Sequence, residues 1–597
     1  MLSPAALGTN QGHASSVEKD VTANLFEYDF NSIATDCTDV LGPDGFGAVQ
    51  VAPPEDSYDQ AGHSWWDVYQ PADYSIGGRL GTEAQFESMI SACHAAGVEV
   101  YVDAVLNHMA AGTGGQDTSY DGQSFDSGTL TYPASPSYTS ADFHSYPANC
   151  PEPSDSIVNW LSYTEVTQCR LDGLPDLATD TTAVRDAEAA YLNSMIEMGV
   201  DGFRLDSATE IGATDIAAIE MKLDADTTSG GPVAITQEVY PGSSGQDSRL
   251  NPTSFEGDGS VTAIDYTYAI TDDFENGDLA ALDGYSPELP SASASTFVTN
   301  QDTERASSPS LSYAKGSEYV LADEFLLAYG YGSPQIFSSF EYGSYDQAPP
   351  DASNGDVTDT VCGTGAWECM ERNSAIDAMV GWHNLALTDG GAVANWATDG
   401  NDLIAFSRGD AAWIAINNGS AAETATFATG LPDGSYCDII ADTYSNGTCS
   451  GSGIVVANGQ ATVTVPADGS VAIDANSVIG NATAVIDVTV PSSSPSSDTV
   501  YIAGDFSALG TGIPSGTDWE PGLHPMTRTG TDEWQAVVHA ASGTTLQYKF
   551  DLNGTWTNVE EAASCANEAN RNFYFNGADS SHTASDTVTD WGGLNGC

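Results

Sequence analysis

Arg204 and Asp206 stand two residues apart in the run Gly202-Phe203-Arg204-Leu205-Asp206. Alternate residues of a strand share a face, so these two charged side chains point the same way while Phe203 and Leu205 point the other. Two more acids close similar runs, Gln237-Glu238 and Phe297-Val298-Thr299-Asn300-Gln301-Asp302. Carboxylates gathered in one cleft suit the cleavage of a glycosidic bond, with one as nucleophile and another as acid and then base.

Such acids need strands to carry them. Three of them at the C-terminal ends of three strands is the arrangement with which a (β/α)8 barrel, an α/β fold, builds an active site. Strands are expected at 21–28, 47–52, 98–106, 202–206, 233–237, 296–299 and 335–338. Phe86, Met89, Ile90 and Cys93 follow helical spacing up to Gly97, a C-cap signal, and residues 182–198 give a second helix before Gly199. Between about 109 and 175 the strand–helix rhythm stops in a stretch rich in Gly, Ser, Tyr and Pro. A long irregular insertion in a compact domain is usually functional. From about 391 the pattern is all-β, and a further β module begins near 480, with the Ser/Pro stretch 491–498 as a loop inside it. Residues 1–17 are polar and small and are expected to form a loose leader.

The chain has 597 residues, enough for three or four domains. It carries 84 Asp plus Glu against 14 Lys plus Arg, a net charge of -70. The acids are spread throughout and 9% of residues are aromatic, which argues against a disordered acidic tail. The reading preferred over a basic partner is a salt-adapted surface. At about 1 M salt the Debye length is roughly 3 Å, so carboxylate repulsion is screened; in dilute buffer it acts against the compact state. Nucleic acid and anionic membranes are excluded as partners by the same charge. There is no apolar run of 18 residues or more and no signal-peptide pattern at the start. Ten cysteines, an even number without CxxC spacing, suggest disulfides in a secreted protein rather than a zinc site; sequence alone leaves their connectivity open.

Several segments occur in a fixed order: 45–54 (GFGAVQVAPP), 65–71 (WWDVYQP), 103–109 (DAVLNHM) and the three acid-ended runs. Over about residues 18–475 the chain resembles the α-amylases of glycoside hydrolase family 13, most closely those of animals and actinomycetes. The resemblance implies a catalytic TIM barrel (1–108 and 177–390), an inserted domain B (109–176) and a β-sandwich domain C (391–477). It implies Asp206 as nucleophile, Glu238 as acid and base, and Asp302 as the third acid on sugar hydroxyls. Arg204 would orient Asp206. Trp65, Trp66, Tyr69, Gln70, His108 and Gln301 would bind substrate, Gln301 standing where the family usually has His. The cysteines would pair Cys37–Cys93, Cys150–Cys169, Cys362–Cys369 and Cys437–Cys449, leaving Cys565 with Cys597. Retention of all three acids weighs against a starch-binding protein without activity. An endo-acting hydrolase of starch, amylose, amylopectin, glycogen and maltooligosaccharides leads; an exo-acting maltooligosaccharide-forming enzyme or a transglycosylase is the alternative. A secreted monomer is expected.

The same resemblance implies a Ca²⁺ ion held by the side chains of Asn107 and Asp176, hard oxygen donors, with the carbonyls of Thr167 and Glu210. In the animal type, Arg204 and Asn300 match two chloride ligands, but the third, normally basic, position is Gln335, so no chloride requirement is expected. Residues 480–597 resemble starch-binding modules of carbohydrate-binding family 20, another β-sandwich. Trp534, Lys549 and Trp556 match its binding positions, although the spacing from Trp556 to Asn570-Arg571 is stretched.

Overall fold

The computed structural model describes residues 19–593 except 225, 306–310, 364, 446, 480, 495–497, 507–517, 542–544, 565 and 575–581. The expected leader and the pair Cys565–Cys597 lie outside the described residues.

Eight parallel strands close into a barrel: β1 Thr22–Leu25, β2 Ala48–Val51, β3 Glu99–Ala104, β4 Gly202–Leu205, β5 Ala234–Gln237, β6 Ser260–Thr262, β7 Ala294–Phe297 and β8 Ser333–Ser338. Each pairs with the next and β8 returns to β1. The strands are mostly shorter than expected because their ends peel into loops. Asp206 and Glu238 each follow the last strand residue directly, and Asp302 stands five residues beyond β7. Strand β6, Ser-Val-Thr, has too few residues to show a pattern and was not expected. At Gly202 a Cβ would lie 2.7 Å from the Ala234 carbonyl oxygen, so only glycine lets β4 and β5 approach this closely.

The helix Glu83–Ala96 begins a turn earlier than its apolar spacing suggests. Thr82 and Gln85 form a reciprocal capping box, and Gly97 ends the helix with φ 77°. The helix Thr182–Met198 has the expected bounds, with Thr181 as its N-cap and Gly199 at its end.

The insertion after β3 is held by its aromatics. Phe125 stacks on Tyr132 at 5.5 Å and Phe143 meets Tyr132 at 5.5 Å, all buried. Among the described residues four disulfides are formed, Cys37–Cys93, Cys150–Cys169, Cys362–Cys369 and Cys437–Cys449, as the resemblance implied.

Beyond the barrel, Val393–Thr398, Leu403–Arg408, Ala412–Asn417 and Gly469–Asp474 form one antiparallel sheet. Its two central strands are buried at every residue. Leu403, Ala405, Trp413 and Ala415 face a sandwich core with Phe427 and Val463. Ile404, Phe406, Ile414 and Ile416 belong to the barrel's own core, where Phe406 lies 6.1 Å from Phe325 of the helix Ser317–Tyr329. The last β segment has a separate core, with Ile486, Ile502, Phe550 and Trp591 among its members.

Candidate active site

One guanidinium organises the mouth of the barrel. Arg204 Nη1 meets Asp206 Oδ1 at 3.0 Å and Asp103 Oδ1 at 2.6 Å, and its Nη2 lies 2.7 Å from Glu238 Oε1. All four side chains are buried. The shared face of Arg204 and Asp206 is thus realised. Ser207 joins the two acids a second time: its amide donates to Glu238 Oε2 at 2.9 Å and its hydroxyl to Asp206 Oδ2 at 3.0 Å. Its φ of +50° lies in the left-handed region, an uncommon conformation outside glycine, and places its amide at Glu238. Asp302 lines the same cleft from a turn capped by Asn300, whose Oδ1 accepts the amides of Asp302 (3.1 Å) and Thr303 (2.9 Å).

Burial dominates the electrostatics. It pushes the Glu238 carboxyl up; Asp206 adds to this and Arg204 opposes it. Burial, and then Glu238, push Asp302 up to about 7. Asp103 is likewise pushed up to about 7 by burial, with Arg204 opposing. A carboxyl held protonated beside an ionisable partner is the division of labour that acid and nucleophile require.

A cleft of about 810 Å³ opens above these groups. Trp65, Trp66, Tyr69, Gln70, His108 and Gln301 all line it with Asp206, Glu238 and Asp302; Arg204 lies beneath. Gln301 Nε2 donates to the Tyr69 hydroxyl at 3.0 Å, and Gln70 Oε1 accepts the amides of Ala111 and Gly112. His108 Nε2 lies 2.9 Å from the Tyr69 carbonyl, an acceptor only, so this nitrogen carries the proton; Nδ1 then accepts from Asn107 Nδ2 at 3.3 Å. Burial pushes the imidazole down, which favours its neutral form.

Asn107 and Asp176 come together where the inserted segment leaves and rejoins the barrel. The Leu177 amide donates to the Asn107 carbonyl, and His108 bridges to Asp176. Asp176 Oδ2 pairs with His144 Nδ1 at 2.7 Å, while its buried Oδ1 finds no hydrogen-bond partner among the described residues. Thr167, on the helix Tyr163–Gln168, closes on the turn after Glu210, where a Cβ on Gly212 would lie 3.5 Å from Thr167 Cγ2. At the expected chloride position, Gln335 Nε2 donates to Gln50 Oε1 at 2.8 Å and Asn300 is engaged in its cap.

In the last segment, Trp534 is only 8% exposed, belongs to the segment's core and carries the Arg528 guanidinium over its ring at 5.6 Å. Lys549 is also buried, its amine turned to Asn567 Oδ1 and the Glu568 carbonyl. Trp556 is 39% exposed and lies beside Trp519, ring centroids 6.5 Å apart and tilted by 32°.

Sequence reading missed Asp103, Ser207, Trp160, Tyr240, Tyr345 and Trp519. Only Asp103 carried a signal: a carboxylate inside the apolar strand Val100-Tyr101-Val102-Asp103-Ala104 must have a buried partner.

Residues 45–237 match the family described as "Alpha amylase, catalytic domain", and residues 394–476 match "Alpha amylase, C-terminal all-beta domain". An alpha-amylase of Thermomonospora curvata is 37% identical over 563 residues, covering 91% of this chain and 89% of that protein. One from the beetle Tribolium castaneum is 35% identical over 80% of this chain and 98% of its own length. Among solved structures, a mutant alpha-amylase I of Eisenia fetida in complex with maltohexaose superposes with a TM-score of 0.72 at 32% identity, covering 78% of this chain and 98% of that one. With the barrel, the Arg204 cluster and these relatives in agreement, the chain belongs to the α-amylase family and is a glycoside hydrolase.

Proposed function

We propose that this enzyme is a secreted, salt-adapted, retaining endo-α-amylase that cuts internal α-1,4 bonds of starch and related glucans. The observation that carries the reaction type is the double link between Asp206 and Glu238, through the two terminal nitrogens of Arg204 and through Ser207. That grip fits the close spacing of a retaining pair, about 5–5.5 Å, better than the roughly 6.5–9.5 Å of an inverting one. Asp206 attacks the anomeric carbon while Glu238 protonates the departing oxygen; Glu238 then deprotonates the water that releases the sugar. Asp302 and Gln301 hold hydroxyls of the sugar at the scissile bond, and Trp65, Trp66 and Tyr69 offer ring faces to its C–H groups. The maltohexaose bound by the Eisenia fetida relative supports an α-glucan in this cleft.

A calcium ion fits the Asn107–Asp176 corner. The buried Asp176 Oδ1, without a partner among the described residues, is a hard donor that such an ion would satisfy, with Asn107 and the carbonyls of Thr167 and Glu210 completing the set. Bound there, it would tie the insertion to the barrel. A chloride ion has little to hold it: Gln335, uncharged, donates through Nε2 to Gln50, and Arg204 already faces three carboxylates. The net charge of -70 supports a high-salt habitat, and four disulfides support secretion. No described helix is long and apolar enough to cross a membrane. The half-exposed Trp556 and its neighbour Trp519 are the surface we assign to starch binding by the last segment; we take the enzyme as a monomer.

The test is starch hydrolysis at about 2 M salt, where charge is screened, with calcium present. A fast fall in viscosity and an α-configured first product are expected. Glu238→Gln should lower kcat by about 10²- to 10⁴-fold, the scale of general acid catalysis. A β-configured first product, or a mutant as active as the wild type, refutes the assignment.

A further inference from the structure

Tyr345 lines the cleft beside Trp65 yet is 57% exposed. An aromatic ring left in water forgoes burial, and a loose loop would tuck it away. This loop is built to hold it up. Residues 340–347 follow β8 closely and are fastened before and after the ring. Phe340 is buried, stacked on Phe26 at 6.3 Å and edge-on to Trp367 at 5.7 Å. The Tyr342 amide donates to the Tyr313 hydroxyl at 2.9 Å, and the Arg305 guanidinium lies 4.3 Å from the Tyr342 ring. Beyond the tip, Gln347 closes the loop on itself: its Oε1 accepts the Gly343 amide at 2.7 Å and its Nε2 donates to the Glu341 carbonyl at 3.0 Å. Asp346 Oδ1 accepts from the Trp66 indole at 3.0 Å, which ties the tip to the aromatic wall.

The ring held this way meets Trp65 edge-on, centroids 5.9 Å apart and planes at 73°. Arg305 lies 5.2 Å from the Trp65 ring and stiffens the wall from its other contacts. Burial first, and then the Asp302 carboxylate, push the Tyr345 hydroxyl up; Asp172 of the insertion acts in the same direction. The ring therefore stands within the field of the third acid and of the insertion. No step of the reaction uses it, and among the described residues more than half of it stays open to solvent.

We infer that Tyr345 is a specificity-determining residue, a platform on which a glucose unit remote from the scissile bond stacks, extending the Trp65–Trp66 wall. A glucan can lie in such a cleft in several registers. An extra stacked unit favours the registers that reach Tyr345, and so selects which bond of an oligosaccharide meets Asp206 and Glu238. This inference rests on the α-glucan reading above.

The test compares wild type, Tyr345→Ala and Tyr345→Phe on maltotriose and maltohexaose labelled at the reducing end. Tyr345→Ala is expected to raise KM for maltohexaose about tenfold, the scale of one well-placed aromatic contact. Its kcat should stay within about twofold, the pattern of lost binding rather than lost chemistry. Maltotriose kinetics should change less than maltohexaose kinetics, and the distribution of cut bonds should shift. Tyr345→Phe should behave as wild type. Unchanged KM and cleavage pattern in Tyr345→Ala overturn the inference, as does an equal loss on both substrates, which marks general damage to the loop. Should the wild type hydrolyse no α-glucan, the functional reading fails by itself. Calorimetric titration of wild type and Tyr345→Ala with maltohexaose then decides the platform in the same way, an equal affinity refuting it.

Discussion

The Tyr69 hydroxyl donates to Asp103 Oδ2 at 2.8 Å, while the other oxygen of that carboxylate is held by Arg204 at 2.6 Å. Asp103 thereby couples a ring of the cleft wall, and through it Gln301, to the guanidinium that carries the Asp206 and Glu238 carboxylates. The neutral Gln301 is positioned by this chain rather than by charge. Asp103→Asn keeps the shape and removes the charge. It should lower kcat on the order of 10- to 100-fold, the cost of a small misplacement of reacting groups, with KM changed far less. Steady-state kinetics on soluble starch checks this, and a loss confined to KM would show that Asp103 serves binding alone.

Glu27 follows β1 in a fully buried position, with both carboxyl oxygens lacking a hydrogen-bond partner among the described residues. Burial pushes its carboxyl up to about 8 from an ordinary 4.5, against Arg79 and Arg305. Between those values the folded chain keeps a proton that the unfolded chain has released. This contribution to stability is therefore complete below about 4.5 and is lost as pH rises through about 8. Glu27→Gln, neutral at every pH, should flatten the decline of Tm between about pH 5 and 8. Melting curves at constant salt measure it; an undiminished slope would assign the decline to other groups.

Calcium removal should loosen the insertion before the barrel. A chelator is expected to lower stability by the binding term, about 2.7 kcal/mol where free calcium stood at 100 times its Kd, and Tm falls with it. In Asp176→Ala the chelator should change Tm little. Protease cuts between residues 109 and 176, resolved by mass spectrometry, report the loosening directly. A chelator effect of full size in Asp176→Ala would move the ion elsewhere.

Two tryptophans of the last segment should separate cleanly. Trp556→Ala should weaken adsorption to starch granules and leave soluble-substrate kcat unchanged. Trp534→Ala removes a core ring and should destabilise the segment by about 3–5 kcal/mol. Granule pull-down and thermal unfolding distinguish the two, and a folded Trp534→Ala that fails only in adsorption would restore Trp534 to the binding face.

What the sequence disclosed follows from how local each feature is. Asp206 and Glu238 end apolar runs of a strand, so their identity and their place were legible together. The helix Thr182–Met198 was bounded by its own cap and its glycine. Strand β6 is three residues long and is defined by its neighbours rather than by its own pattern. Trp534 was placed by resemblance to a binding module, not by its own strand pattern. Its strand mates two and four residues on, Ala536 and Val538, were the sign of an inward face, and Val538 is indeed buried while Val537 is 55% exposed. Tyr345 and Trp519 sit in irregular backbone, where no period ties a side chain to a face.

The sheet around Leu403–Arg408 and Ala412–Asn417 is shared property, one side filling its own sandwich and the other plugging the flank of the barrel. Its Trp382 neighbour donates across the seam to the Ile473 carbonyl at 3.3 Å, and Arg408 reaches the Ala328 carbonyl at 3.1 Å. The barrel and this sheet thus share buried surface and are expected to unfold as one unit, while the last segment, with a core of its own, is expected to unfold apart from them.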